Sequence, residues 1–488
     1  MNFLAKISPR LAYQREAWRQ MYEMAHSSRR SYDAGKYDRA NRNWIATNES
    51  AQLTDRQYRD TVRARSRDLE RNSDIFMGQV HPWVRNVVGK GFVLEAKSGN
   101  DEFDKEIERL WRKWCRKQNC DVEGTQSFWD MARMAIRRKK IDGGILFIKC
   151  YTPGGIVPFK LQAVEVDELA SDHMTPNTPG NKVIDGVEYT GTRSIAGYWF
   201  AEYDIEGYTS LQARFVKAED VIFYFSKNRP SQRREMPEMA HVLTRIKEIN
   251  GFVEAATVKE RMAACLSVLI KSVNPMPRFG NAAASDAGEK RDYNEMKLAP
   301  GMVTALNAGD DVEVINPASS ATDGNTFIKT MTRLISAGQG ISYEATSRDL
   351  SGTNYSSARQ ATIEDEVTFE PETEKIKDDF FDEVYEAFLT SAVMSGAISA
   401  PPDFEINKDR YLRHSWNKKP KRWIDPVKET NANRTAIASG QKTLTQIWGE
   451  DGRDYKDVMD EIKAQQDYAA EIGLVVGVPT IDGAPADK

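Results

Sequence analysis

Cysteine is scarce in this chain, with four in 488 residues. So thin a supply excludes a disulfide framework and fits a reducing cytosol. Histidine is nearly as rare: His26, His81, His173, His241 and His414 are scattered, with no HExxH motif and no acid-linked pair. Cys115 and Cys120 in "CRKQNC" lack a second pair, so no zinc site is expected. The longest apolar run, "AACLSVLI" at 263–270, falls far short of the roughly 20 residues of a membrane span. The opening "MNFLAKISPRLAYQREAW" has no sustained apolar stretch, so no secretory signal is expected. An excess of one charge is missing too: 68 Lys and Arg face 72 Asp and Glu, a net of −4. Proteins that grip DNA stably carry a basic excess.

Catalytic patterns are also missing. "GQKT" at 440–443 places Gln between Gly and Lys and lacks the rest of a phosphate loop. "GQGISY" at 338–343 ends in Tyr where a dinucleotide turn needs Gly, and it follows a helical pattern. The serines of 347–357 lack the G-x-S-x-G elbow that exposes a nucleophile. Carboxylates are plentiful but none is distinctively spaced. No catalytic, cofactor-binding or metal residue is nominated, and no enzyme is expected.

What remains is ample material for a core. Hydrophobic residues make up 40%, with 10 Trp, 18 Tyr and 19 Phe. The length allows roughly two to four domains. A mean hydropathy of −0.59 suggests an extended shape or polar partners. Charge is segregated: 29–71 holds eleven Arg and Lys against seven acids, and 105–140 and 408–423 are also basic. By contrast, 361–386 holds eleven acids with only Lys375 and Lys377. Each block alone reads as a solvated helix face. Together they suit identical subunits packed basic face to acidic face. The candidate contacts are Arg63, Arg65 and Arg67 on one side and Asp378, Asp379 and Asp382 on the other.

The periodicities describe an α+β chain. Helices are expected at 8–30, 51–72, 101–118 and 126–140. Short strands follow in "GGILFIKCYT", "VPFKLQAVEV", "KVIDGVEYTGT", "SIAGYWFAEY" and "VIFYFSKN". Helical period returns at 236–272, with Val242, Ile246, Ile249, Val253 and Ala256 on one stripe. Two strands, "MVTALN" and "DVEVIN", precede a helix at 325–339 capped by Asp323 or Asn325, with Phe327, Met331, Leu334 and Ile335 at helical spacing. A long helix then carries Ile376, Phe380, Val384, Phe388 and Ala392 on one face and Phe381, Tyr385, Leu389 and Val393 beside them. Pro371 should start or kink its second half. Residues 425–470 look helical, and 471–488 read as a frayed tail.

Between the helix at 325–339 and the long helix lies "SYEATSRDLSGTNYSSARQATIEDE", 342–366, whose centre is small, neutral and rich in hydroxyls and amides. That stretch carries a resemblance. "GISYEATSRDLSGTNYSSARQATIED" (340–365) closely resembles the pattern of tailed-bacteriophage portal proteins of the lambda family. "RARSRDLERNSDIFMGQVHPWVRNVVGKGF" (63–92) and "EMAHVLTRIKEINGFVEAATVKERMAACLSVLI" (238–270) resemble that family's earlier segments. "WIDPVKETNA" (423–432) and the following "GQKTLTQIWGEDGRDYKDV" are a weaker match. The likeness covers most of 50–465.

The resemblance implies a ring of subunits, usually twelve, at one vertex of the capsid. It implies an N-terminal arm at 1–50, possibly flexible, a wing at 51–235, stem helices at 236–272 and 323–342, and a clip at 273–322. A tunnel loop at 343–356 would follow, then a long helix and wing return at 357–420 and a C-terminal crown at 421–488. Ser347, Arg348, Ser351, Gly352, Thr353, Asn354 and Tyr355 would line the DNA channel. Arg348 and Arg359 would pair with Asp349, Glu344 or Glu364 of the same or a neighbouring subunit. Tyr355 reads equally well as a core anchor of the loop. Implied partners are non-specific double-stranded viral DNA, the large terminase subunit, the major capsid and scaffolding proteins and a head–tail adaptor. No membrane and no cofactor is implied. The protein would sit in the virion, and in the host cytoplasm during assembly. The competing classes are a maturation protease or packaging nuclease, which would need a constellation not found here, and a protein-binding scaffold without a channel.

Overall fold

The computed structural model describes residues 9–27, 39, 41–204, 206–208, 212–264, 268–272, 310–314, 324–418, 426–450 and 455–474. The chain divides into two compact units, 1–54 and 55–488. The first contains helix α1 (Pro9–Ser27), on which Trp18 and Tyr22 are exposed.

The second unit is a mixed α and β structure. Helices α2 (Ala51–Asn72) and α3 (Asp74–Val87) meet at Ser73, whose hydroxyl accepts from the Phe76 amide at 3.2 Å and caps α3. Strand β1 (Phe92–Ala96) leads to α4 (Asp101–Trp114), capped by Asn100, and to the single turn α5 (Lys117–Cys120). Helix α6 (Phe128–Ile141) starts with a reciprocal capping box between Ser127 and Asp130. Gly143, at φ +96°, turns the chain into β2 (Gly144–Cys150). A Cβ there would lie 2.5 Å from the Met236 backbone, so both the angle and the close approach require glycine.

Strand β2 is the centre of an antiparallel sheet, flanked by β3 (Lys160–Val164) and β8 (Val221–Phe225). A second antiparallel sheet runs in order β4 (Lys182–Ile184), β5 (Val187–Tyr189), β6 (Ile195–Phe200) and β7 (Arg214–Lys217). The strands read from the 144–225 sequence are thus present, because their β-branched and aromatic runs are bounded by Gly, Pro and Asn.

Helix α7 (Leu243–Ala264) is shorter than its periodicity suggested. Residues Val268–Ser272 form strand β9, which pairs antiparallel with β10 (Asp310–Val314), the strand read in "DVEVIN". The helical expectation over 236–272 is therefore corrected at its end. "VLIKS" is an apolar, β-branched run that two periods can claim, and pairing with β10 decides it. The strand expected in "MVTALN" and most of the proposed clip lie outside the described residues. Helix α8 (Gly324–Gly338) includes Asn325 in its first turn rather than as its cap; Asp323 lies outside the described residues.

The single turn α9 (Tyr343–Ser347) precedes α10 (Tyr355–Ile376), which continues through Pro371. The departure from α geometry comes later, in a π-helical turn at Lys377–Asp382, before α11 (Glu383–Met394). Helix α12 (Lys408–Tyr411) and β11 (His414–Lys418) follow, and β11 pairs antiparallel with β1. The C-terminal helices are α13 (Pro426–Ala438), α14 (Leu444–Glu450) and α15 (Tyr455–Glu471).

The largest core joins α4, α6, the π turn and α11. Trp111, Trp114, Phe128, Phe380, Phe381, Tyr385 and Phe388 are all essentially buried there. Phe128 stacks on Phe380 at 5.4 Å, Phe147 stacks on Phe380 at 4.4 Å, and the Trp114 indole donates to the Phe159 carbonyl at 2.8 Å. A second core lies between the sheets, and a third gathers Phe76, Val80, Val242, Ile246, Ile249 and Ile335 from α3, α7 and α8 and the turn preceding α7. The stripe read along α7 is buried only in that first part, since Val253 is exposed. On α8 the packed face runs through Ile328, Met331 and Ile335, leaving Leu334 exposed.

Candidate channel loop and the ion pairs behind it

Residues 348–354 form the non-helical connection between α9 and α10, so the soft stretch read as 343–356 is shorter than expected. Its base is fixed on both sides. Asp365, buried on α10, accepts from the Ser342 amide at 2.7 Å and hydroxyl at 2.6 Å, and Ser342 caps α9 through the Ala345 amide. Thr346 is buried and bonds Ser336 of α8 at 2.9 Å; Ser336 in turn accepts from Gln79 of α3 at 3.3 Å. A Cβ on Gly78 would stand 3.0 Å from the Thr346 carbonyl, so α3 and α9 are in close contact.

Beyond that base the loop bonds to itself and to the helices next to it, α8, α9 and α10. Asp349 accepts from the Ser351 hydroxyl at 2.5 Å and the Ser351 amide at 3.1 Å, and pairs with Lys329 of α8 at 3.2 Å. The Ser351 bonds first, then Lys329, hold its carboxyl well below the usual carboxylate range. Asn354 caps α10, accepting from the Ser357 amide at 2.8 Å. Ser347, Arg348, Leu350, Ser351, Gly352 and Asn354 are exposed, while Thr353 is half-buried and donates to the Leu350 carbonyl at 3.1 Å. Nothing is within 4 Å of a Cβ placed on Gly352. Leu350, 60% exposed, was not singled out from the sequence, although it is the apolar residue among polar ones.

Within the chain Arg348, with φ +57°, does not pair with Asp349 or Glu344, which leaves the neighbouring subunit as the place for the expected pair. Its charge acts instead, with those of Arg137 and Arg85, on the His81 imidazole. Burial, then Arg137, Arg348 and Arg85, lowers the pKa of that imidazole. Glu364 accepts from Gln360 at 2.8 Å rather than from Arg359, which is exposed.

The arginines of α2 are engaged within the chain. Arg63 is buried and binds Glu235 at 3.0 Å, Asp167 at 3.0 Å and Asp60 at 2.6 Å. Arg67 binds Asp142 at 2.7 Å, Asp167 at 2.6 Å and Glu165 at 3.2 Å. Arg59 meets Asp185 at 3.1 Å, and fully buried Arg234 meets Glu235 at 2.7 Å. Within the chain, then, Arg63 and Arg67, both expected at the intersubunit face, are already engaged by carboxylates of α2 itself, of the turn after α6 and of the β-rich region. Arg65 alone of the three is exposed. On the acidic side Asp382 accepts from His414 at 2.9 Å and from the Trp416 indole at 2.6 Å, and Asp379 is paired with Lys375, which leaves Asp378 as the exposed member.

A further pair network ties α6 to α10. Glu238 binds Lys140 at 2.6 Å and Lys139 at 3.1 Å, and Glu372 binds both Lys139 and the Tyr224 hydroxyl. Burial would raise the Glu238 carboxyl, but the two ammonium groups outweigh it and hold it at about 2. Cys115 and Cys120 are buried, and burial pushes the Cys120 thiol up to about 12, which makes it inert. Among the described residues no group of three His, Cys, Asp or Glu is placed to hold a metal, and no helix is long and apolar enough to cross a membrane.

The family model described as phage portal protein, lambda family, matches residues 37–372, more than half of the chain. The chain belongs to the lambda family of phage portal proteins. That family is structural rather than enzymatic. The probable portal protein of Halomonas phage phiHAP-1 is 23% identical over 452 residues, covering 89% of this chain and 85% of that protein. The portal protein of Escherichia phage N15 is 21% identical, with 86% of each chain covered, and portal protein B of Escherichia phage lambda is 21% identical, with 81% of each covered. Among solved structures, a chain in the neck of a native gene transfer agent particle computed with C12 symmetry aligns at 12% identity. Its TM-score is 0.43, covering 71% of this chain and 87% of that one.

Proposed function

We propose that this chain forms a ring, of twelve subunits by family habit, at one vertex of the capsid. Double-stranded DNA passes through its centre during packaging and again during ejection. The observation that carries this reading is the loop 348–354: exposed, mostly uncharged, and mounted on a base fixed by Asp365, Thr346 and Asn354. Rows of Lys or Arg would bind phosphate strongly through counterion release, and a ring would repeat each contact in every subunit. Apart from Arg348, the loop offers hydroxyls, amides and a carboxylate already held by Ser351 and Lys329, which make weak, exchangeable contacts instead. Duplex is confined without being held.

Helices α7 and α8, in contact through Phe252 and Phe327 at 4.7 Å, serve as the stem in this reading. The β9–β10 pair closes the base of the clip, where the large terminase subunit docks. Helices α13 to α15 form the crown, and the β-rich region with α2 to α6 forms the wing. Head–tail adaptor, scaffolding and major capsid proteins bind the outer surfaces, and the ring nucleates procapsid assembly. The motor that drives packaging is a separate protein. Negative-stain microscopy of the purified chain tests the reading: rings with a central hole are expected, and a uniformly monomeric protein would overturn it.

A further inference from the structure

Two exposed helical stripes of opposite charge have, among the described residues, no partner on any other element. On α4, Lys105, Arg109, Arg112 and Lys113 all face solvent, opposite the buried Phe103, Ile107, Trp111 and Trp114. The stripe spans about 12 Å at 1.5 Å per residue, and exposed Arg116 and Lys117 extend it past the helix end. On α10 and the start of the π turn, Glu364, Glu370, Glu374 and Asp378 share one exposed face, running for about 21 Å. Ile363 and Val367, also exposed, lie among these acids. The opposite face of α10 is packed through Asp365, Phe369 and Thr373. Among the described residues Glu374 has only the neighbouring Lys377 as an ion-pair partner, at 2.8 Å.

We propose that the basic stripe of α4 docks on the acidic stripe of α10 in a second copy of this chain. The charges are complementary, the lengths are compatible, and Ile363 and Val367 supply apolar surface that such a contact would cover. Each copy carries one stripe of each sign on different elements, so the contact is head-to-tail and leaves both copies with a free stripe. A contact of that kind either closes into a ring or continues as a filament. This deepens the ring reading above and rests on it: it names the residues through which one subunit recognises the next. Phosphate is the other chemistry that could engage the α4 stripe. The matching acidic face on the same chain favours the protein partner.

The test uses the full chain. Wild-type rings are counted by negative stain and light scattering; their absence would defeat the ring reading itself. In one variant Lys105, Arg109, Arg112 and Lys113 become Glu; in another Glu370→Lys, Glu374→Lys and Asp378→Lys are combined. Each set is expected to cut the ring fraction at least about tenfold at moderate salt, since several exposed pairs invert from attraction to repulsion at every contact. Mixing the two variants, so that each offers the other a complementary stripe, should restore association. Rings that persist in either variant would overturn the pairing and leave the ring reading standing. Intact rings that no longer retain DNA would do the same, assigning the α4 stripe to phosphate. Since a reversed variant may fail to fold, Arg109→Cys and Glu374→Cys proteins, otherwise unaltered, are also mixed with a short bis-maleimide. A cross-linked dimer beyond that of either protein alone supports the contact, and its absence counts against it.

Discussion

The loop 348–354 and the arginine face of α2 are both strongly polar, yet they are built for opposite ends. On α2, Arg59, Arg63 and Arg67 are clamped by carboxylates drawn from Asp142, Glu165, Asp167, Asp185 and Glu235, and much of that surface is buried. In and beside the loop, Ser347, Ser351 and Asn354 bond to nearby residues and present their remaining valences to solvent. Burial decides the difference. A guanidinium removed from water must find its carboxylate, so its position is over-determined. A hydroxyl in water exchanges partners at little cost. One region fixes the helix to the sheets, and the other is free to meet something that moves.

The largest effect should come from breaking the clamped side. Arg63→Ala leaves Glu235, buried beside Arg234, short of one partner, and a loss of about 3–5 kcal/mol is expected, read as a lower thermal midpoint and denaturant midpoint. Replacing Ser351, Thr353 and Asn354 with Lys should change stability far less, by about 1 kcal/mol through the lost cap. Its consequence should instead be functional: rings and procapsids form, while nuclease-protected DNA falls steeply, more so at low salt. Failed ring assembly would mean that the loop is buried between subunits, where each Lys is an unpaired charge. Normal filling would show that the loop does not meet DNA.

A pH titration sharpens the contrast further. Glu238 is held at about 2 in the folded chain, below the roughly 4.3 of an unfolded glutamate. Its contribution is therefore complete above about pH 4.5 and is lost as the pH falls towards 2. Glu238→Gln should be less stable at pH 7 and should show a shallower loss of stability through that acid window. A slope equal to wild type would remove Glu238 from the acid response. The smallest effect is expected at the loop tip, where Leu350→Ala should alter the thermal midpoint by no more than about 0.5 kcal/mol equivalent. A larger loss would mean that the tip packs in the assembled protein.

The elements were largely legible because their signals are local. Ile376, Phe380, Val384, Phe388 and Ala392 are all buried as their spacing required, and α4 and α6 carry readable caps in Asn100 and Ser127. The ion pairs were not legible. Arg67 meets Asp142 and Asp167 across 75 and 100 residues of sequence, and no periodicity links such positions. An arginine-rich helix in a sequence reads as a solvated face, and only the fold reveals which carboxylates approach it. Residues 268–272 failed for another reason: a short apolar run satisfies two periods, and only the presence of 310–314 beside it selects the strand. At the loop, composition identified the exposed stretch, while Tyr343–Ser347 proved helical because Ser342 supplies a cap that the sequence carries in plain view.

The π turn at Lys377–Asp382 bears on how this helix tolerates a change of length. A π turn is an α-helix carrying one surplus residue in its spiral. Losing a residue at the solvent-facing Asp378 could be absorbed by reverting to ordinary winding. The same loss at Glu366, within regular α winding, would rotate everything upstream by about 100° relative to the aromatic core, sweeping the loop's anchoring Asp365 away from Ser342. Length variation in this helix should therefore be forgiven at one turn and punished elsewhere.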